Sequence, residues 1–232
     1  MRPRFASAWA PIVLFAAACG GGAAPSTSAT PGAIATPEYL AFRSQPTACE
    51  AEAPPAAVAM TFDSPGRAGV EGQVQVILHT SCGPVVLRLD PADAPETVNS
   101  FVFLARAGYF DGTVSHRVVP GFVFQAGDPT ATGTGGPGYT IPDEFPAAGF
   151  AYTRGVVAMA NTGAPGSGGS QFFIALDDLG LPPAYTVFGR VVQGLEVLDR
   201  IAALPMEPNP PDALPSRPLE TVYLERVEVV DG

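Results

Sequence analysis

The chain has 232 residues, 22 of them acidic and 12 basic, and a formal net charge of −10. This length suffices for one domain with a substantial core plus extensions. Because the balance is acidic, nucleic acids and anionic membrane surfaces are poor partners for the folded surface. Glycine and proline number 26 each, which predicts many turns and few long helices.

The N-terminus has the pattern of an export signal over residues 1–18. Two arginines precede an apolar run that ends at Ala18 and is too short to span a bilayer. Cys19 follows three alanines and precedes three glycines, and this junction resembles the lipid-attachment motif of bacterial lipoproteins. We therefore expect an exported protein that a lipid on Cys19 anchors to the outer face of a bacterial membrane. Cleavage after an Ala-x-Ala pattern, which gives a soluble secreted protein, is the alternative.

Two cysteines remain once Cys19 is assigned to processing. In an oxidising, exported setting, the pair Cys49 and Cys82 predicts one disulfide. Such a bridge would tie the segment before the core domain to the start of that domain. Two separate buried thiols are the alternative.

The mature chain divides into three parts by composition. Residues 19–37 are dominated by glycine, alanine, serine, threonine and proline without charge, which predicts a flexible tether. Residues 38–70 form an extension interrupted by prolines, and we expect it to pack loosely, with a short strand over 60–62. Residues 71–232 carry the periodic apolar pattern of the core domain.

The core domain begins with a predicted hairpin. An alternating strand over residues 73–80 leads through a Gly-Pro turn into a strand over residues 85–89. Asp93 as a capping acid and Pro95 in the first turn then predict a helix, which ends at Gly108.

The rest of the core domain is expected to be built from short strands. Five are predicted, over residues 113–119, 122–126, 155–160, 171–175 and 186–192. They are followed by a second helix over 195–203, a proline-rich loop over 204–218 and a final strand over 221–230. Many short strands with two isolated helices predict a mainly β fold, a closed antiparallel β-barrel capped at its ends.

Residues 116–128 place two polar side chains in an apolar run of two strands joined by a Pro-Gly turn. Phe122 and Phe124 share one strand face and would suit a core. Arg117 and Gln125 would not, and we interpret them as facing a hydrophobic groove that binds a proline-containing peptide. A surface ion pair for the arginine and a loop-backbone contact for the glutamine are the alternatives.

Five sequence blocks resemble the signature blocks of the cyclophilins, in the family's order and at similar spacing. They are His116–Asp128, Gly133–Gly136, Met159–Asn161 with Gly163, Gly169–Ile174 and Val187–Gly189. The resemblance covers roughly residues 71–231 and implies a peptidyl-prolyl cis-trans isomerase on a closed eight-stranded antiparallel β-barrel capped by two α-helices. Because rotation about a prolyl amide breaks no bond, neither a metal nor a cofactor is expected.

The resemblance also implies roles for individual residues. Arg117 matches the family's catalytic arginine, and Gln125 matches a catalytic position that hydrogen-bonds the substrate backbone. The matching substrate-binding positions are Phe122, Val123, Ala160, Asn161, Gln171, Phe173, Leu181 and Tyr185. The region of the last two departs from the family, since Gly180 replaces a frequent tryptophan and Tyr185 replaces a histidine.

Two functions compete for this groove. The first is a prolyl isomerase that acts on exported proline-containing polypeptides, and the second is a proline-peptide binding module without useful catalysis. Arg117 and Gln125 favour the enzyme. A monomer is expected, because the sequence gives no sign of a large exposed apolar face.

Overall fold

The computed structural model describes residues 32–210 and 212–230. The predicted export signal and Cys19 lie outside the described residues. Within those two ranges, the helices are all too short or too polar to cross a membrane.

The described chain contains three α-helices, one 3₁₀-helix and eleven strands. The helices are α1 (Pro37–Arg43), the 3₁₀-helix (Ala48–Glu50), α2 (Pro95–Arg106) and α3 (Leu195–Ala202). The strands are β1 (Val74–Thr80), β2 (Gly83–Leu89), β3 (Thr113–Val114), β4 (Arg117–Val119), β5 (Val123–Ala126), β6 (Val156–Met159), β7 (Phe172–Ala175), β8 (Val187–Gln193), β9 (Met206–Glu207), β10 (Arg217–Pro218) and β11 (Tyr223–Val230).

Nine strands form one antiparallel sheet in the order β3-β11-β1-β2-β8-β6-β7-β5-β4. The strands at its two ends are consecutive in sequence, and only Ser115 and His116 separate them. Since the three steps from Val114 to Arg117 span at most about 10 Å, the sheet must curl until its edges nearly meet. The predicted mainly β, antiparallel architecture is therefore confirmed.

The closure of this sheet differs from the predicted eight-stranded barrel. The sheet has nine strands, and within the described residues no ladder pairs β3 with β4. Ser115 bridges the two edges instead, because its amide donates to the Val222 carbonyl at 2.9 Å and its hydroxyl to the Gln125 carbonyl at 2.8 Å. The single strand predicted over 113–119 is split here because the chain crosses from one sheet edge to the other.

Two further elements were not predicted. The stretch predicted as a loop over 204–218 contains a small hairpin, in which Met206 pairs with Pro218 and Glu207 with Arg217. The helix α1 lies where a tether and a loose extension were expected, so residues 32–210 and 212–230 contain three α-helices instead of the predicted two. Residues 60–62, in contrast, form no strand.

The extension is packed against the core domain more closely than its composition predicts. Tyr39 and Phe42 of α1 are fully buried, in a cluster with Val114 and Tyr223 of the sheet. The Tyr39 hydroxyl donates to the Gly112 carbonyl at 2.8 Å and accepts from an amide of the extension at 2.8 Å. A disulfide joins Cys49 to Cys82, with their Cα atoms 5.2 Å apart.

Helix α2 packs on the sheet with the predicted apolar face, since Val98, Phe101 and Val102 are buried. Its N-terminus is capped differently from the prediction, because Asp93 gives no side-chain cap. Instead, Glu144 accepts from the Glu96 amide at 3.0 Å and from the Thr97 amide at 2.9 Å, which satisfies two free backbone donors of the first turn. The long loop that carries Glu144 is thereby fixed to the helix.

Candidate active site

Strands β5, β6 and β7 have two apolar faces that serve different purposes. Phe172 and Ile174 of β7 belong to the main core with α2, whereas Phe173 and Ala175 lie in a separate cluster with Val123. This division follows from the alternation of side chains along a strand. The second face forms the floor of the candidate site.

The hairpin of β4 and β5 brings Arg117 and Gln125 together. The two residues are direct cross-strand partners, which places their side chains on the same face of the sheet. The Arg117 Nη1 donates to the Gln125 Oε1 at 3.0 Å, and the guanidinium carbon lies 5.9 Å from the centre of the Phe122 ring. The hairpin thus presents a guanidinium beside an aromatic face.

A cavity of about 210 Å³ opens at this point of the surface. Its lining contains Arg117, Phe122, Val123, Gln125, Ala160, Asn161, Phe173, Leu181 and Tyr185. The structure therefore brings together all the expected catalytic and substrate-binding residues except Gln171. The floor is apolar, and the guanidinium and two amide side chains supply hydrogen-bonding groups at its wall.

Gln171 lies in an adjoining cavity of about 350 Å³. Its Oε1 accepts from the Gln125 Nε2 at 3.0 Å, and its Nε2 donates to the carbonyls of Gly133 and Gly135, each at 3.0 Å. These bonds fix the orientation of both glutamine amides. Gln171 thus connects the catalytic candidates to the glycine-rich loop and does not line the apolar cavity.

Asp212 is the functional candidate that the sequence did not indicate. Its Oδ2 accepts from the Arg117 Nε at 2.8 Å and its Oδ1 from the Arg117 Nη2 at 2.7 Å, which makes a bidentate ion pair. The Arg117 hydrogen bonds hold the pKa of the Asp212 carboxyl below its usual value. The proline-rich loop around it has no apolar periodicity, so the sequence gives no signal for this pair.

The far wall of the cavity is held by Tyr152, which the sequence also did not indicate. Its hydroxyl donates to the Tyr185 carbonyl at 2.8 Å and accepts from the Tyr185 amide at 3.1 Å. The Tyr185 ring then stands at right angles to the Phe173 ring, with 5.4 Å between their centres. Asn161 supports the same wall through a bond from its Nδ2 to the Ala184 carbonyl at 2.9 Å.

His116 precedes the arginine but is buried, with 6% of its surface exposed. Burial lowers the pKa of its imidazole, an effect that Asp128 opposes and Arg117 reinforces. Its Nδ1 has no hydrogen-bond partner among the described residues. A neutral, enclosed imidazole suits packing more than proton transfer.

Comparisons with known proteins agree with this geometry. Residues 75–229 match the family described as "Cyclophilin type peptidyl-prolyl cis-trans isomerase/CLD". "Peptidyl-prolyl cis-trans isomerase B" of Streptomyces anulatus is 42% identical over 176 residues, which cover 68% of this chain and 97% of that protein. "Peptidyl-prolyl cis-trans isomerase CYP57" of Arabidopsis thaliana is 48% identical over 121 residues, which cover 50% of this chain and only 24% of that protein.

A solved structure shares the fold. The crystal structure of a cyclophilin type peptidyl-prolyl cis-trans isomerase from Cryptosporidium parvum has a TM-score of 0.63 and 28% identity, and covers 69% of this chain and 99% of its own. A second structure of that protein, obtained in the presence of the dipeptide Ala-Pro, has a TM-score of 0.62. Sequence and fold lead to the same assignment: the chain belongs to the cyclophilin-type peptidyl-prolyl cis-trans isomerase family.

Proposed function

We propose that this protein accelerates cis–trans isomerisation of X-Pro bonds in proline-containing polypeptides. The observation that carries the proposal is a guanidinium held at the wall of a small apolar cavity. An amide resists rotation because its nitrogen lone pair is delocalised into the carbonyl, with a barrier of about 18–20 kcal/mol. Uncatalysed X-Pro exchange consequently takes tens to hundreds of seconds.

The proline ring occupies the apolar part of the cavity in this mechanism. Phe122, Val123 and Phe173 provide its walls, and the ring is held still while the preceding carbonyl rotates. As the amide twists, its nitrogen regains a localised lone pair, and Arg117 donates a hydrogen bond to it. This interaction exists only in the twisted state, so it lowers the barrier without tightening ground-state binding.

Gln125 orients the reacting peptide. Its Oε1 accepts from Arg117, and one hydrogen of its Nε2 is donated to Gln171. A primary amide nitrogen has two hydrogens, so the second is available for a carbonyl of the substrate backbone. Such a contact fixes one side of the rotating bond, which is the kind of positioning that makes a rotation productive.

Isomerisation of a short X-Pro peptide tests the activity directly. Wild type is expected to exceed the spontaneous rate, and R117A to lose about a hundredfold in kcat/KM, as expected when one transition-state donor is removed. R154A is the matched control, because Arg154 forms an exposed pair with Asp199 at 2.7 Å and does not line the cavity. Equal rates for wild type and R117A would contradict the mechanism. Peptide binding without acceleration would favour the binding-module alternative.

The proposed site of action is outside the bacterial cytoplasm, with the protein anchored by a lipid on Cys19. The sequence around Cys19 supports the anchor, and the bridge between Cys49 and Cys82 is consistent with an oxidising compartment. Mass spectrometry of the membrane fraction should find a lipid on an N-terminal Cys19. An unmodified Cys19 at the mature N-terminus would exclude the anchor.

A monomer is proposed as well, and sedimentation analysis of the mature protein would reveal any dimer.

A further inference from the structure

Asp212 contacts the catalytic candidate from outside the cavity. It lies in the loop between β9 and β10 and is absent from the lining of the 210 Å³ cavity. Both of its carboxylate oxygens nevertheless accept hydrogen bonds from Arg117, at 2.7 and 2.8 Å. A carboxylate in this position contacts the arginine without lining the apolar cavity proposed for the proline ring.

Asp212 is itself held in place by its own loop. The Ser216 hydroxyl donates to the Asp212 Oδ2, and Ser216 is fully buried. The Ser216 carbonyl accepts from the Val118 amide at 2.8 Å, and the Ser216 amide donates to the Glu207 carbonyl at 3.1 Å. Since Val118 follows Arg117 in β4, the loop is attached to the same strand that carries the arginine.

Counting donors shows what this arrangement does to the guanidinium. An arginine has five N–H groups in a planar fork. Asp212 accepts a hydrogen bond from Nε and another from Nη2, and Gln125 accepts a hydrogen bond from Nη1. Two N–H groups remain, one on each terminal nitrogen. Three fixed bonds therefore set the plane of the fork, whereas a free arginine side chain samples many rotamers.

We propose that Asp212 is a positioning residue of the isomerase, which sets the orientation of Arg117 before the peptide binds. The inference rests on the proposed function. Because Asp212 acts through the transition-state donor and not through the proline pocket, its removal should lower kcat and leave KM nearly unchanged. Misplacement of a reacting group by a small distance predicts a loss of about ten- to a hundredfold.

The experiment compares D212A, D212N and D212E with wild type in the X-Pro peptide assay. D212A should have a lower kcat than wild type. D212N, which is nearly isosteric, should have a lower kcat too, because its amide presents a donor to the guanidinium. D212E, which keeps the carboxylate, should recover part of the activity. D199A is the matched control, since Asp199 accepts from Arg154 at 2.7 and 2.8 Å and does not line the cavity.

A double-mutant cycle separates positioning from general damage to the fold. In an R117A background, D212A should change kcat no further, because its target is gone. A drop of equal size in both backgrounds would overturn the proposal, and so would full activity of folded D212N. Failure of the proposed function gives a different result, since wild type would then show no activity above the spontaneous rate. In that case, ¹⁵N spectra of the Arg117 Nε–H group test the positioning itself. A signal that is the same in wild type and in D212A would refute it.

Discussion

The hydroxyl of Ser115 donates to the Gln125 carbonyl at 2.8 Å and so links the strand crossing between β3 and β4 to β5. The Ser115 amide simultaneously donates at 2.9 Å to the carbonyl of Val222, which immediately precedes β11, the strand next to the opposite edge of the sheet. One fully buried residue therefore joins the two edges beside the candidate catalytic glutamine. Closure of the sheet and placement of Gln125 are coupled.

We expect S115A to lower the free energy of unfolding by about 1 kcal/mol, the usual value of a buried hydrogen bond. Urea denaturation measures the change. S44A is the matched control, because the Ser44 hydroxyl also donates to a backbone carbonyl, at 2.7 Å, but on an exposed surface. If the two variants lose equal stability, Ser115 has no special part in closing the sheet.

The groove could be predicted from the sequence because its residues are anomalous where they stand. Arg117 and Gln125 interrupt apolar strands. They also lie in the first of five short sequence blocks, and the order of these blocks matches that of the cyclophilins. The alternation of β7, with Phe172 in the core and Phe173 towards the cavity, then accounts for the position of Phe173. Local pattern thus indicated Arg117 and Gln125, whereas the resemblance to the cyclophilins supplied the other residues of the cavity.

The supporting contacts could not be predicted because each joins residues distant in sequence. Asp212 is 95 positions from Arg117, and Glu144 is 47 positions from the Thr97 amide that it caps. Neither carboxylate lies in a periodic segment, so nothing local distinguishes it from a solvated loop acid.

Helix α1 is different, since Thr36, a proline and an acid do form a helix-start pattern there. The uncharged composition of the preceding stretch concealed it.

Tyr152 is expected to control peptide affinity through Tyr185. The Y152F variant loses the bonds to both the carbonyl and the amide of Tyr185, so the far wall of the cavity is less firmly held. We expect a higher KM for an X-Pro peptide, an almost unchanged kcat, and a loss of about 1–2 kcal/mol in unfolding free energy. Steady-state kinetics and urea denaturation measure these quantities.

Y39F provides the matched control for Tyr152. The Tyr39 hydroxyl makes the same kind of double contact, to the Gly112 carbonyl and from the Ala57 amide, each at 2.8 Å. It lies in the extension and is not part of the cavity lining. A similar rise in KM in both variants would mean that stability, and not the cavity wall, governs affinity.

The disulfide is expected to stabilise the extension without contributing to catalysis. It joins two cysteines that are 33 positions apart in sequence, and such a bridge typically contributes about 2–4 kcal/mol. The C49S/C82S variant should therefore unfold at a lower temperature, yet retain the wild-type kcat/KM well below its Tm. A loss of activity in the folded double variant would instead connect the extension to the groove.

The stability of the protein is expected to depend on pH through the buried His116. Burial lowers the pKa of its imidazole below the ordinary value of 6.5, the Arg117 charge lowers it further, and Asp128 opposes both. Below pH 6.5 the unfolded chain therefore binds a proton that the folded chain resists, so stability is present above that pH and is lost as the pH falls. Urea midpoints measured between pH 7.5 and 5.5 should decrease with falling pH in wild type. The chain has only one other histidine, His79, on β1. The decrease should persist in H79Q and become shallower in H116Q, and an unchanged slope in H116Q would assign it to other groups.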